Sequence, residues 1–350
     1  MTEYLSRKLK LLSAFAIIMV IYIHMYYTEG AVTPTLNLLE TIVSGFCRTA
    51  VPLFYIISGY LFFLKVPDGL KSIRQKIKKR ARTLLVPYLI ANIFTFLFYC
   101  GVNAIALKFG EVSNVLNFKI FDDIARLGIW GTIELVFINP PIAFQLWFVR
   151  DLMVMVLLSP LLWLGLKGLT RLRDSGYGWL SAALLGLLFL CGFKFGYCFT
   201  FFWFLAGGYI AMARFDIGQA TIKGRVAAAS AILVFMAVTA QAFGWYNRIS
   251  GAMTPLFGIT FLWTAYDFIA ADLKNHLIDW FARYTFFVYL IHEPFLNVFK
   301  KLPLLFSRSE TTLIISYISI PVIFYVFACW CGSLLKRRFP TAYSIYTGGR

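Results

Sequence analysis

The sequence is poor in charge. Only 14% of its residues are Asp, Glu, Lys or Arg, where a soluble globular domain carries about 25%. Acidic residues are the scarcer kind, 16 against 33 basic ones. That composition excludes an ordinary soluble enzyme. Histidine occurs three times, so any imidazole chemistry has few places to reside. The six cysteines (Cys47, Cys100, Cys191, Cys198, Cys329 and Cys331) all fall inside or beside apolar runs, and none has metal-ligand spacing with a paired histidine. Neither a metal site nor a disulfide framework is expected, and the cysteines read as small apolar residues in helix packing. Repeats, low-complexity tracts and a separate soluble domain are absent, and the loops are too short to fold alone. The first apolar run has no small-residue cleavage site after it and further runs follow, so no cleavable signal peptide is expected.

What is present is apolar. Hydrophobic types make up 60% of the chain, aromatics 18%, and the mean hydropathy is +0.75. A spanning helix needs about 20 mostly apolar residues. Ten runs qualify as candidate spans: 9–27, 40–64, 86–107, 145–165, 179–194, 196–213, 226–243, 256–271, 285–299 and 311–334. The expected fold is therefore an all-α integral membrane protein, a single transmembrane domain over 1–350, with a basic loop at 65–85 and a long outer segment at 108–144. That segment is either an amphipathic helix over a cavity or an ordered loop.

The net charge of +17 suggests nucleic acid until the charges are located. With the N-terminus in the cytoplasm, 23 of the 33 basic residues fall in inside segments, 8 fall outside, and Arg48 and Arg150 lie within spans. Basic residues concentrate at cytoplasmic helix ends, so both termini are expected inside, with a lipid bilayer as partner and no nucleic acid.

Ionisable groups within a bilayer are costly and are functional candidates by default. In "AFAIIMVIYIHMYY" (Ala14 to Tyr27), thirteen of fourteen residues are apolar or aromatic and the exception is His24. The others are Arg48, the adjacent Arg150 and Asp151, Asp267, and the adjacent His292 and Glu293. At about 1.5 Å per residue, His24 lies roughly 5 Å from the outer end of its span, Arg48 about 12 Å and Arg150 roughly 8 Å. These three sit in the outer half and could surround one cavity. Each also has a plainer use. His24 can reach interfacial water, and Asp267 reads as a boundary residue at the cytoplasmic end. Arg150 and Asp151 either neutralise each other or take separate partners, since neighbours on a helix point about 100° apart. Glu293 either stabilises His292 or faces water. Arg48 has no such escape, because guanidinium stays charged. On the inner side, "LKSIRQKIKKRARTLLVPY" places seven basic residues between Lys71 and Arg82 with no acid among them. This run either serves topology and anionic lipid or docks a cytosolic phosphorylated molecule.

Four segments resemble, in order, those of the bacterial acyltransferase 3 family, multi-span enzymes that O-acylate cell-surface sugars. They are "CRTAVPLFYIISGYLFF" (Cys47 to Phe63), "KKRARTLLVPYLI", "QLWFVRDL" and "YTFFVYLIHEPF". With the first-span histidine, the resemblance reaches from Leu9 to about Cys331. It implies a bacterial cytoplasmic-membrane O-acyltransferase. An acyl group, acetyl by resemblance, would pass from cytosolic acyl-CoA to a hydroxyl of an envelope sugar or glycolipid outside. Acyl-CoA is a co-substrate; no bound cofactor and no metal are expected. One position departs from the family. Many members carry an arginine eleven residues before this histidine, where this chain has Ser13; three helical turns, about 16 Å, separate the two on one helix face.

On this reading His24 acts as general base, or as a covalent acyl-imidazole, and Arg48 or Arg150 stabilises the developing oxyanion. Ser13, Tyr55, Ser58, Trp147, Asp151, His292 and Glu293 line the passage or the acceptor site. Tyr55 and Gly59 share a helical stripe with Arg48, although Ser58 and Gly59 equally suit close helix packing. Lys78, Lys79, Arg80, Arg82 and Tyr88 hold the acyl-CoA nucleotide. The competing class is a transporter or flippase of an anionic sugar or lipid, for which neither an inverted repeat nor paired interrupted helices are seen. An inactive scaffold would leave His24 and Arg48 unexplained. Acyl-CoA turnover that is lost on mutating His24 marks an enzyme; acceptor flux without CoA marks a transporter.

Overall fold

An apolar run that excludes water can satisfy its backbone only by closing hydrogen bonds within itself. The computed structural model is accordingly helical. It describes residues 1–27, 33–66, 69–109, 120–138, 140–217, 224–244, 248–269 and 276–349, among which there is no strand. The helices are α1 (Glu3–His24), α2 (Pro34–Cys47), α3 (Ala50–Phe63), α4 (Leu70–Arg80), α5 (Val86–Phe109), α6 (Ile120–Phe137), α7 (Trp147–Leu157) and α8 (Ser159–Leu172). They are followed by α9 (Gly178–Cys191), α10 (Tyr197–Met212), α11 (Gly224–Ala242), α12 (Arg248–Ile269), α13 (His276–Arg283), α14 (Thr285–Lys301), α15 (Glu310–Arg338) and α16 (Pro340–Thr347).

Five stretches are long and apolar enough to cross a membrane: Pro34–Phe63, Leu70–Lys108, Ser159–Cys191, Gly224–Ala242 and Glu310–Arg338. The sequence predicts ten. Several of the remaining runs are helical but shorter or more polar: α1 carries Arg7, Lys8 and Lys10, α10 has 16 residues, and α14 is broken at Glu293 before Pro294. Two expected spans are also divided between two helices. The run 40–64 breaks at Arg48 and Thr49 between α2 and α3, so Arg48 sits at a turn rather than inside one continuous helix. The run 145–165 breaks at Leu158, where Pro160 starts the next helix. The segment 108–144, expected to be outer, contains α6, kinked at Gly128 (φ 65°); its residues 110–119 lie outside the described residues, as do Lys119, Lys223, Lys274 and Arg350.

The chain divides into two compact units. One comprises Met1–Ile77 with Met155–Thr285, the other Lys78–Val154 with Phe286–Arg350. In the first, Leu5, Leu9, Leu12, Ala16, Met19 and Val20 of α1 pack with Leu53, Ile57 and Tyr60 of α3 and Leu262 and Tyr266 of α12. On its other side α3 meets α10 through glycines. A β-carbon at Gly59 would stand 2.0 Å from the Phe204 carbonyl oxygen, and one at Gly207 2.0 Å from that of Ile56. Small residues let backbones approach this closely, as membrane helices do where apolar burial offers no driving force between them.

The same unit buries one lysine completely. Lys8 Nζ lies 2.6 Å from Asp267 Oδ1 and 4.2 Å above the Trp263 ring, and Tyr4 donates its hydroxyl to the same Oδ1. The Asp267 side chain is 4% exposed, so it is a buried counter-ion rather than the boundary residue the sequence suggests. The pair ties the start of α1 to the end of α12, and Arg7 adds a looser pairing with Asp279 on α13 at 3.5 Å.

In the second unit α16 folds back on α5. Gly348, in the left-handed region (φ 65°), comes so close to the Thr83 carbonyl that a β-carbon would meet its oxygen at 2.5 Å. Phe287 stacks on Tyr343 at 5.6 Å. Along α15, Ile315, Ile318, Val322, Ile323, Val326 and Trp330 are exposed. A continuous apolar face of this kind belongs against lipid.

Removing one member of a buried ion pair strands the other, at a cost of about 3 kcal/mol or more, whereas replacing both with apolar residues is close to neutral. Lys8→Met should therefore lower the thermal midpoint in detergent sharply, and Lys8→Met with Asp267→Leu should recover most of the loss. A single variant as stable as the parent chain would show that the pair does not hold α1.

Candidate active site

The fifteen residues singled out from the sequence fall into two groups. Ser13, His24, Arg48, Tyr55 and Ser58 belong to the first unit; Lys78, Lys79, Arg80, Arg82, Tyr88, Trp147, Arg150, Asp151, His292 and Glu293 belong to the second.

In the first unit His24 is the last residue of α1 and is half-buried. The chain beyond it is held by Glu40 of α2, whose Oε1 accepts from the Tyr27 backbone N–H at 3.3 Å. A carboxylate is thus fixed beside the segment that leaves the histidine. α2 is itself set by Thr33, which caps its N-terminus by accepting from Leu36 N–H, with Pro34 at its first position. Ser13 is half-buried and donates to the Leu9 carbonyl one turn back at 2.7 Å. Arg48 is exposed at the α2–α3 turn. Thr49 beside it is fully buried, and a β-carbon on Gly258 of α12 would meet its Oγ1 at 2.2 Å. That close fit of α12 keeps the turn in place. Tyr55 is buried and Ser58 half-buried on α3. Gly59 is filled by α10, so that end of the expected Arg48–Tyr55–Gly59 stripe is a packing surface and does not line a passage.

In the second unit the adjacent charges do pair. Arg150 Nε and Nη2 each lie 3.0 Å from Asp151 Oδ1, and Nη1 donates to the Ile138 carbonyl at 2.6 Å. The guanidinium is therefore held at two sides while 28% of the side chain stays exposed. A deeper polar cluster forms where α14 breaks. Glu293 there has an extended backbone (φ −103°, ψ 134°), which frees carbonyls that an unbroken helix would use. Gln145 meets them, donating through Nε2 to the Glu293 and Leu290 carbonyls at 3.3 and 3.4 Å, while Tyr289 donates to the Gln145 carbonyl at 2.7 Å. Glu293 is buried and accepts from Asn297 at 2.5 Å, so it does not face water. His292 is buried, with Nδ1 2.8 Å from the Tyr289 carbonyl. A carbonyl can only accept, so Nδ1 carries the proton and Nε2 is the basic nitrogen of the neutral ring.

Tyr88 is buried and donates to the Phe137 carbonyl at 2.5 Å, and Asn92 links the Tyr88 carbonyl to the Ala143 N–H. Trp147 is half-buried at the start of α7. Lys78, Lys79 and Arg82 are exposed and Arg80 half-buried. Lys71 and Arg74 of the first unit are exposed, as are Lys78 and Arg82 of the second. Lys76 has a different use, since it donates to the Phe62 and Leu64 carbonyls at the end of α3, at 2.5 and 2.7 Å. All six cysteines are free thiols. Among the described residues no three His, Cys, Asp or Glu side chains gather as a metal site.

Gln145, Tyr289, Asn297 and Asn92 escaped the sequence reading, which looked for charge within spans; Glu40 escaped it as the first residue of the run 40–64, at its very edge. The available signal was a neutral amide in an apolar run, as at Asn92 and Gln145. Gln145→Leu would leave two carbonyls unsatisfied, each worth about 1–3 kcal/mol when buried. A clear fall in thermal midpoint in detergent is expected; an unchanged midpoint would mean the break in α14 does not depend on the amide.

The chain is 26% identical over 311 residues to the succinoglycan biosynthesis protein ExoH of Rhizobium meliloti (strain 1021), covering 87% of this chain and 80% of that protein. No solved structure matches the chain. The family model described as an acyltransferase domain, acyltransferase 3, matches residues 7–337, and the protein belongs to that family.

Proposed function

We propose that the protein is a membrane O-acyltransferase that moves an acyl group, acetyl in the first instance, from cytosolic acyl-CoA to a hydroxyl of an envelope polysaccharide or its glycolipid precursor on the outer side. The observation that carries this reading is the family match across residues 7–337, on a chain whose α1 ends in a half-buried imidazole. The similarity to a succinoglycan biosynthesis protein supports a sugar acceptor.

His24 takes the proton of the acceptor hydroxyl as that oxygen attacks the thioester carbonyl. Arg48, at the α2–α3 turn of the same unit, stabilises the resulting oxyanion. The C–S bond then breaks, and the proton held by His24 passes to the CoA thiolate, so that ester and thiol leave and the imidazole is neutral again. Imidazole suits both transfers because it gains and loses a proton near neutral pH. Arg150 is a second candidate for oxyanion contact; Asp151 and the Ile138 carbonyl fix its plane and leave part of it accessible. His292, with a basic Nε2, and Glu293 are proposed to contact the acceptor, together with Trp147, Ser58 and Tyr55. Ser13 lines the donor path without the charge that an arginine would bring there. Lys78, Lys79, Arg80 and Arg82 attract the polyanionic donor, with Tyr88 bracing that end of α5. A basic inner face agrees with both termini in the cytoplasm and a location in the bacterial inner membrane.

The test is release of CoA from labelled acetyl-CoA by purified protein in lipid, with label followed into envelope sugars, for the parent chain beside His24→Ala and His24→Gln. Loss of a general base costs about 10²–10⁴-fold, so both variants should lose release and sugar labelling at that scale while keeping the parent's thermal midpoint. Release that is indifferent to His24 would remove the assignment, and acceptor flux without any CoA release would replace the enzyme with a transporter.

A further inference from the structure

The glycine contact between α3 and α10 brings the C-terminal ends of these helices together, and each end is followed by a cation. Lys65 (φ 61°) and Arg214 (φ 54°) are the two non-glycine residues with positive φ among the described residues. That conformation crowds a β-carbon and is normally left to glycine or asparagine at a helix end. Non-glycine residues held there cluster at functional sites.

Both residues line the same cleft, about 560 Å³ in volume, together with Trp163, Phe63 and Met212. The size suits a small-molecule site. Trp163 is half-buried and held from two sides: Lys167 Nζ lies 5.0 Å from its ring centre, and a β-carbon on Gly69 (φ 56°) would come within 3.1 Å of its ring.

The simplest structural use of a cation here would be to satisfy the last carbonyls of a helix and its negative dipole end. That role is already filled. Lys76 donates to the Phe62 and Leu64 carbonyls of α3, and Arg173 donates to the Ala213 carbonyl after α10 while its guanidinium lies 4.7 Å from the Phe215 ring centre. Lys65 and Arg214 are exposed, and neither side chain forms a hydrogen bond or ion pair among the described residues. Two strained, exposed cations thus line one cleft with an indole ring and apolar side chains. The cleft is at the end of the unit where α1 begins, since Tyr4 and Leu5 share a cluster with Tyr60, Leu64 and Ala211; His24 is at the other end of α1.

We propose that this cleft binds a phosphorylated nucleotide, its base stacked on Trp163 and its phosphates on Lys65 and Arg214. Resting on the acyltransferase reading, the ligand is the adenine nucleotide end of acyl-CoA.

Glycine separates the two possible roles of these residues, because it keeps the left-handed backbone and removes the side chain. The chain in lipid nanodiscs, Lys65→Gly, Arg214→Gly, the double variant and Trp163→Leu would be titrated with adenosine 3′,5′-bisphosphate and, separately, with phosphatidylglycerol. The expected result is at least tenfold weaker bisphosphate binding in each single variant and no measurable binding in the double variant. Thermal midpoints of the glycine variants should be unchanged or raised, and their KM for acyl-CoA at least tenfold higher. Unchanged bisphosphate binding in the double variant overturns the proposal, and so does a site that takes phosphatidylglycerol but no bisphosphate. Acyl transfer at the parent KM in the double variant would remove the cleft while leaving the acyltransferase reading intact. A parent chain that neither binds the bisphosphate nor transfers an acyl group would remove both.

Discussion

A charge inside an apolar helix bundle must be met by a partner, because neither lipid nor packed side chains can solvate it. Much of the local structure follows from that constraint. Lys8, with no solvent exposure, is matched by Asp267, Tyr4 and the Trp263 ring, so the start of α1 cannot slide along α12 without stranding the ammonium. His24 is sixteen residues further along the same helix, and its height in the unit is set in part from the opposite end. In the second unit the same constraint shapes Arg150, Asp151 and the Ile138 carbonyl, and the amide, hydroxyl and carboxyl groups that gather where α14 breaks.

Glycine supplies what charge does not. Gly59 and Gly207 permit α3 and α10 to touch backbone to backbone. Their ends then deliver Lys65 and Arg214 to one cleft. Both residues hold a positive φ there, a conformation normally left to glycine.

Much of this was legible in the sequence because it depends on local physics. Apolar runs gave helices, and Pro34 and Pro160 stand where helices start. The isolated charges His24, Arg48, Arg150 and His292 could be picked out because so few others share their surroundings. What could not be read required three dimensions. Lys8 and Asp267 are 259 residues apart, and each alone looks like a charge at a membrane boundary. Gln145 carries no charge and so gave no signal until the α14 break placed two carbonyls above it. Ser58 and Gly59 suited both a passage and a packing surface; only the position of α10 decided for packing at Gly59. The break at Arg48 was hidden because both flanking segments are apolar and helical, and hydropathy does not register a turn between them.

On the function proposed above, the chain passes an acyl group from a donor on one face of the membrane to a sugar on the other. The most direct measurement uses sealed vesicles with the protein in one orientation, labelled acyl-CoA supplied only at the face bearing the termini, and acceptor only at the opposite face. The account predicts free CoA on the donor side and labelled ester on the acceptor side, in equal amounts. Ester appearing only when donor and acceptor share a face would contradict it.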